Sequence, residues 1–176
     1  MKLSLLWGHL KTINTHKYHV TRLCFRCGIY KQGILHDLSK YSWTELKTGA
    51  TYYNGKRSPN SIEREKIGYS KAWLHHKGRN KHHWEYWVDF GPDGTQASKM
   101  PTRYVVEMFC DRVAATKTYL KKEYTDASPL AYYERTRYYY VMEESTDKAI
   151  HDMLEYLSIH GLNKTITYIK KVYLEK

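Results

Sequence analysis

From residue 10 to about residue 30, Ile13, His16, Val20, Leu23 and Cys27 recur at steps of three and four, which lays one stripe along a helix. Segments of the same period fill most of the chain, and only four prolines interrupt it. Such a pattern predicts an all-α fold, a single helical bundle of six to eight helices. A short apolar segment, Ile34, Leu35 and Leu38, follows Gly33. A helix is expected over 43–53, ended by Asn54-Gly55, and another over 61–76, broken by Gly78 and Asn80. Residues 89–100 read as a loop around Gly91-Pro92-Asp93-Gly94. Pro101 then opens a helix carrying Val105, Val106, Phe109 and Val113. Helices over 129–142 and 146–160 follow. Gly161 is placed to end the latter, and Asn163 to cap a last helix.

At 176 residues the chain reads as one domain over 1–176, able to bury a core without disulfides. Apolar residues make up 41% and charged ones 27%, which excludes a disordered chain. No apolar run approaches the ~18 residues that would span a bilayer, so no membrane is expected. Cys24, Cys27 and Cys110 form no disulfide framework, and with no export signal a cytoplasmic protein is expected. The net charge of +11 points to a polyanionic partner: nucleic acid, a nucleotide or another phosphorylated molecule.

Three positions carry polar groups where the period demands apolar ones. His16 lies in the stripe between Ile13 and Val20 and must point inward, as a ligand or as a core histidine with one hydrogen bond. His36-Asp37 pairs an imidazole with a carboxylate, a donor set suited to Mn, Fe, Co, Ni or Zn; the plain alternative is a surface histidine beside a capping aspartate. Asp111 has Met108, Ala114 and Ala115 on its flank, where a carboxylate needs a metal or a cation such as Arg103, Arg112 or Lys117. Four more histidines, His75, His76, His82 and His83, crowd into one basic stretch with Lys77, Arg79 and Lys81. They are site groups or a basic surface loop.

His16, His36-Asp37 and Asp111 on three helices follow the order H…HD…D, and the chain resembles the HD superfamily of metal-dependent phosphohydrolases. The segment from Gly33 to Lys40 is similar to that family's apolar-HD-x-x-K. The runs HDLSKYSWTEL, WLHHKGRNKHHWEYW and MPTRYVVEMFCDR resemble an HD-like bacterial and phage domain of unknown function over about residues 5–133, leaving 134–176 as C-terminal helices. The resemblance implies a divalent metal on His16, His36, Asp37 and Asp111. It also implies a second ion or substrate contacts at His75, His76, His82 and His83. Such a centre activates a water for in-line attack on phosphorus, with Asp37 as ligand and proton acceptor. Lys40, Lys77, Arg79 and Lys81 would bind the substrate phosphate, Lys40 within the catalytic set.

The remaining signals read as structural. Cys24-Phe25-Arg26-Cys27 lacks a second pair for zinc and is expected in the core. Glu45 and Glu85 read as helix-surface charge. The stretch from Tyr132 to Tyr140 interleaves Arg135 and Arg137 with rings that stack on bases or pack inside. It leaves a nucleic-acid-binding domain, or a catalytically degenerate metal-binding HD domain, as the alternative.

Overall fold

In the computed structural model, which describes residues 2–175, the stripe lies on α1 (Leu3–Cys27). Gly28, at φ 84°, ends that helix, and its N–H together with that of Ile29 returns to the carbonyls of Phe25 and Cys24. The chain reverses into α2 (Tyr30–Leu35), which lies against α1 because Gly33 has no side chain: a Cβ there would stand 2.9 Å from that of Cys24. Across this contact Thr21 Oγ1 donates to the Gly33 carbonyl at 2.9 Å. Lys17 Nζ donates to the carbonyls of Ile34 and His36 at 2.9 and 2.8 Å. The otherwise unpaired carbonyls at the end of α2 are thus tied to α1 at Lys17, the residue next to His16.

α3 (Trp43–Tyr52) starts at Ser42, whose hydroxyl accepts from the Glu45 N–H. The helix expected over 61–76 is two, α4 (Pro59–Ile67) and α5 (Lys71–Lys77). Gly68 at φ 84° stops the first, and the Ser70 hydroxyl caps the second. The loop expected over 89–100 contains a hairpin, β1 (Val88–Gly91) and β2 (Gly94–Ala97), antiparallel with Val88 opposite Ala97. Its strands are four residues long and largely exposed, so no alternation marks them.

α6 (Thr102–Leu120) is the central helix. Its Val105, Val106, Phe109 and Val113 are buried against the C-terminal half of α1 and against α8 (Glu144–Ile169). Cys24, Cys27 and Cys110 are free thiols inside this core, as expected. α7 (Ser128–Thr136) is shorter than the expected 129–142, because a tight turn over Arg137–Tyr139 follows it. Gly161, at φ 75° and ψ 165°, breaks α8 where the sequence predicts a helix end. The tyrosine-rich stretch divides: Tyr133 is buried in the core, Tyr138 and Tyr139 are exposed, and Arg137 is paired with Asp147. The described residues thus form eight α-helices and one hairpin, and none of these helices is long and apolar enough to cross a membrane.

Two substitutions test this packing. Gly33→Ala overpacks the α1–α2 contact and should cost about 1–3 kcal/mol, lowering the Tm by at least about 2 °C. Glu143 caps α8: burial pushes its carboxyl up, but hydrogen bonds from Ser145 and Thr146 outweigh this and hold it at about 2. A depressed folded value means stability that is complete above the unfolded value and lost as pH falls. Glu143→Ala should therefore cost about 1 kcal/mol at pH 7. In pH-dependent melts that deficit should shrink below the usual carboxylate range and vanish near pH 2.

Candidate metal centre

The tie between α2 and α1 brings His36 and Asp37 beside His16. His36 caps α2, and Asp37 takes the left-handed conformation at φ 55°, which costs a non-glycine residue about 1–2 kcal/mol. That turn aims the Asp37 carboxylate inward, where it is buried. α6 supplies Asp111 and, one turn earlier on the same face, Glu107.

The first set is His16, His36, Asp37 and Asp111, whose ligand atoms lie within 4.8 Å of one another. His16 Nε2 stands 3.0 Å from Asp111 Oδ1, 3.6 Å from Asp37 Oδ2 and 3.4 Å from His36 Nε2. His36 Nε2 is 3.2 Å from Asp37 Oδ2 and 3.7 Å from Asp111 Oδ1. An ion at ~2.1 Å from each donor separates neighbouring ligands by roughly 3.0 Å in an octahedron and roughly 3.4 Å in a tetrahedron. The residues fit a divalent ion.

The second set takes the other oxygen of Asp37 with His76, His82 and His83. Asp37 Oδ1 is 3.2 Å from His76 Nε2 and 3.4 Å from His82 Nε2. α5 ends at Lys77, and the chain folds back so that the rings of His82 and His83 pack around that of His76. Asn80 secures this reversal, its amide donating to the His76 carbonyl and to Ser39 Oγ, both at 2.8 Å. Asp37 Oδ1, His82 Nε2 and His83 Nε2 are all buried without a hydrogen-bond partner. Three orphaned donors of metal-ligating type converging on one space are what an ion would satisfy.

Two glutamates orient the ring. Glu107 Oε1 accepts from His36 Nδ1 at 2.9 Å and lies 3.0 Å from His82 Nδ1. Glu45 accepts from His75 Nδ1 at 2.8 Å and from His76 Nδ1 at 2.9 Å. Each contact fixes an Nδ1–H tautomer and leaves Nε2 free for a metal. Burial raises the carboxyls of Asp37 and Asp111, yet their neighbours hold both well below the usual range. For Asp37 these are the charges of His36, Lys40 and His76, and for Asp111 chiefly hydrogen bonds from His16 and His36. Burial, then the charges of His82 and His76, pushes His83 well down, so its imidazole is neutral and able to ligate. Burial also pushes the Cys110 thiol well up, and with all three thiols in the core the donor set is nitrogen and oxygen only. That set suits Mn, Fe, Co, Ni or Zn better than Cu(I).

Some expected roles change. Glu45 is not surface charge: it is buried, with both oxygens committed to imidazoles. Glu85 is no simple surface charge either, since its Oε2 is buried without a partner and burial raises its carboxyl. His75 stays outside both sets, held by Glu45. Lys40 is at the centre, its Nζ on Asp37 Oδ2. Lys77 forms no ion pair with either set, while Arg79 and Lys81 line a separate cavity. Asp111 pairs with histidines rather than with Arg103, Arg112 or Lys117. Glu107 escaped the sequence reading, although a lone acid inside Val105-Val106-Glu107-Met108-Phe109 is a signal of the same kind as His16.

Two predictions follow from this geometry. Asp37→Asn keeps the size and the left-handed tendency of the residue, so the variant should fold with an unchanged circular dichroism spectrum while its metal content collapses. Glu107→Gln should weaken metal affinity by about 10–100-fold, read by competition with a chelator, without abolishing binding.

Searches of curated proteins and of solved structures returned no match. A protein-family profile matches residues 5–156, a span that holds every residue of both sets, and the chain therefore belongs to a family of unknown function, DUF5662.

Proposed function

We propose that this chain is a metal-dependent phosphohydrolase of the HD type, a cytoplasmic enzyme acting on a nucleotide or another small phosphorylated compound. The observation that carries the reading is the division of the Asp37 carboxylate, one oxygen facing each set of ligands, with unpartnered imidazole nitrogens on the deeper side. The resemblance to H…HD…D and the net charge of +11 support it. A divalent ion held there supplies Lewis acidity toward a phosphoryl oxygen and lowers the pKa of water.

The chain's own groups divide the work. His36 and His82 are sealed, whereas the side chains of Asp111 and Lys40 keep 17% and 26% of their exposure, so substrate approaches from that edge. Lys40 is the cation at this edge. Burial lowers its pKa, but Asp37 more than compensates, and the ammonium stays charged beside the position of a phosphate oxygen. Asp37 and Asp111 stay ionised and, with Nε2 of His16 and His36, offer the lone pairs that would hold the ion.

Protein purified without chelators should contain one or two divalent transition-metal ions per chain by elemental analysis. Reloaded with each of Mn, Fe, Co, Ni and Zn, it should release phosphate from a panel of nucleotides and aryl phosphates. Asp111→Asn should lower that rate by at least about a hundredfold. Absence of metal even after reloading would overturn the reading and favour a nucleic-acid-binding domain, whose affinity would fall steeply with salt and survive loss of the metal residues.

A further inference from the structure

Beside His82, α2, the turn after α5 and the first turns of α6 line an open cavity of about 180 Å3. Its wall carries Lys31 from α2 and Arg79 and Lys81 from the turn. None of these three cations has an acidic partner within 4 Å among the described residues; the lysine and arginine ion pairs there involve Lys40, Arg57 and Arg137. Arg79 is oriented by donating Nη1 to the His75 carbonyl at 3.1 Å, and Lys81 Nζ lies 5.6 Å from the centre of the Tyr86 ring. Tyr104 and Asn80 add polar groups to the wall. The one acid of the lining, Glu107, is already shared between His36 and His82, and it leaves the cavity with an excess of positive charge.

We propose that this cavity is an anion site distinct from the metal centre, taking a phosphate-sized oxyanion, free or as the phosphoryl group of a larger molecule. Its volume is below the roughly 300 Å3 at which pockets for larger organic ligands begin, so the group that enters is small. Three cations on one lining without acidic partners disfavour a metal and favour a multiply charged oxyanion, because charge-assisted hydrogen bonds are strongest to such groups. His82 and Glu107 belong to the lining, so the bound anion lies beside the carboxylate that orients two of the metal-facing imidazoles. Occupancy and metal affinity are therefore linked, and the linkage is reciprocal. The site itself does not rest on the phosphohydrolase reading; only the linkage needs a metal.

The test is calorimetric titration of inorganic phosphate, and separately of adenosine monophosphate, into the wild type, Arg79→Ala/Lys81→Ala and Asp111→Asn, with metal quantified in each. Arg79 and Lys81 are exposed, so their replacement leaves the core intact, which a thermal melt checks. With metal removed from all three proteins, so that the linkage plays no part, phosphate should bind the wild type and Asp111→Asn alike and bind Arg79→Ala/Lys81→Ala at least about tenfold more weakly. Equal affinity for the double variant would overturn the proposal, as would loss of binding in Asp111→Asn, which places the phosphate on the metal centre. No binding at millimolar phosphate would also overturn it. Tighter binding of the nucleotide than of phosphate assigns the site to a phosphoryl group of a larger molecule, and equal binding assigns it to the free anion. A wild type that takes up no metal even after reloading, yet still binds phosphate, would defeat the hydrolase reading and leave this site standing.

Discussion

A buried carboxylate with an unpartnered oxygen is among the most expensive groups a protein can keep, and Asp37 is such a group. Much of the surrounding structure serves to put it there. Gly33 lets α2 lie against α1, and Lys17 and Thr21 anchor the end of α2. The left-handed turn at Asp37 then swings its side chain between the two sets of imidazoles. Lys40 brings one positive charge to Oδ2, and among the described residues only the edges of His76 and His82 approach Oδ1. Asp111, Glu45 and Glu107 add three more acids close by. A core arranged around this much negative charge is organised for a cation.

The imidazoles are not independent of one another. A single oxygen of Glu107 faces Nδ1 of both His36 and His82, so those rings turn together. Glu45 ties His75 and His76 instead with one oxygen each. Only His76 of that second pair looks into the centre; His75 donates a hydrogen bond to the glutamate and remains outside. Each glutamate therefore sets tautomers as well as positions. The centre is rigid because its outer carboxylates are buried with it.

The sequence carried the parts of this design that break a local rule. A histidine inside the α1 stripe, a carboxylate on the apolar flank of α6 and an HD pair after a short apolar segment are all conflicts with helical amphipathicity, and all three converge. Glu45 was hidden by agreement with a rule: three residues after Ser42 it reads as an ordinary first-turn acid of a capped helix. The histidines of the second set were expected as a second ion site or substrate contacts only from the family resemblance, since no period joins them. His76, His82 and His83 share no helical face, because the helix stops at Lys77 and the turn at Gly78 to Asn80 folds the chain back. The break at Gly68 and the hairpin at Val88–Ala97 escaped for a simpler reason, being too short for any period to register.

The two sets also differ in what can satisfy them. In the first, Asp111 and Lys40 keep contact with solvent, so water or a phosphate oxygen can complete whatever the side chains leave open. In the second, Asp37 Oδ1, His82 Nε2 and His83 Nε2 are cut off from solvent. His83, held neutral, and the carboxylate oxygen of Asp37 offer lone pairs there, the donor type that a cation accepts. A substrate group would have to pass His36 and His82, which are sealed by Glu107 and the core behind it. What fits is small, positively charged and content with lone pairs alone, and a bare divalent ion meets all three conditions.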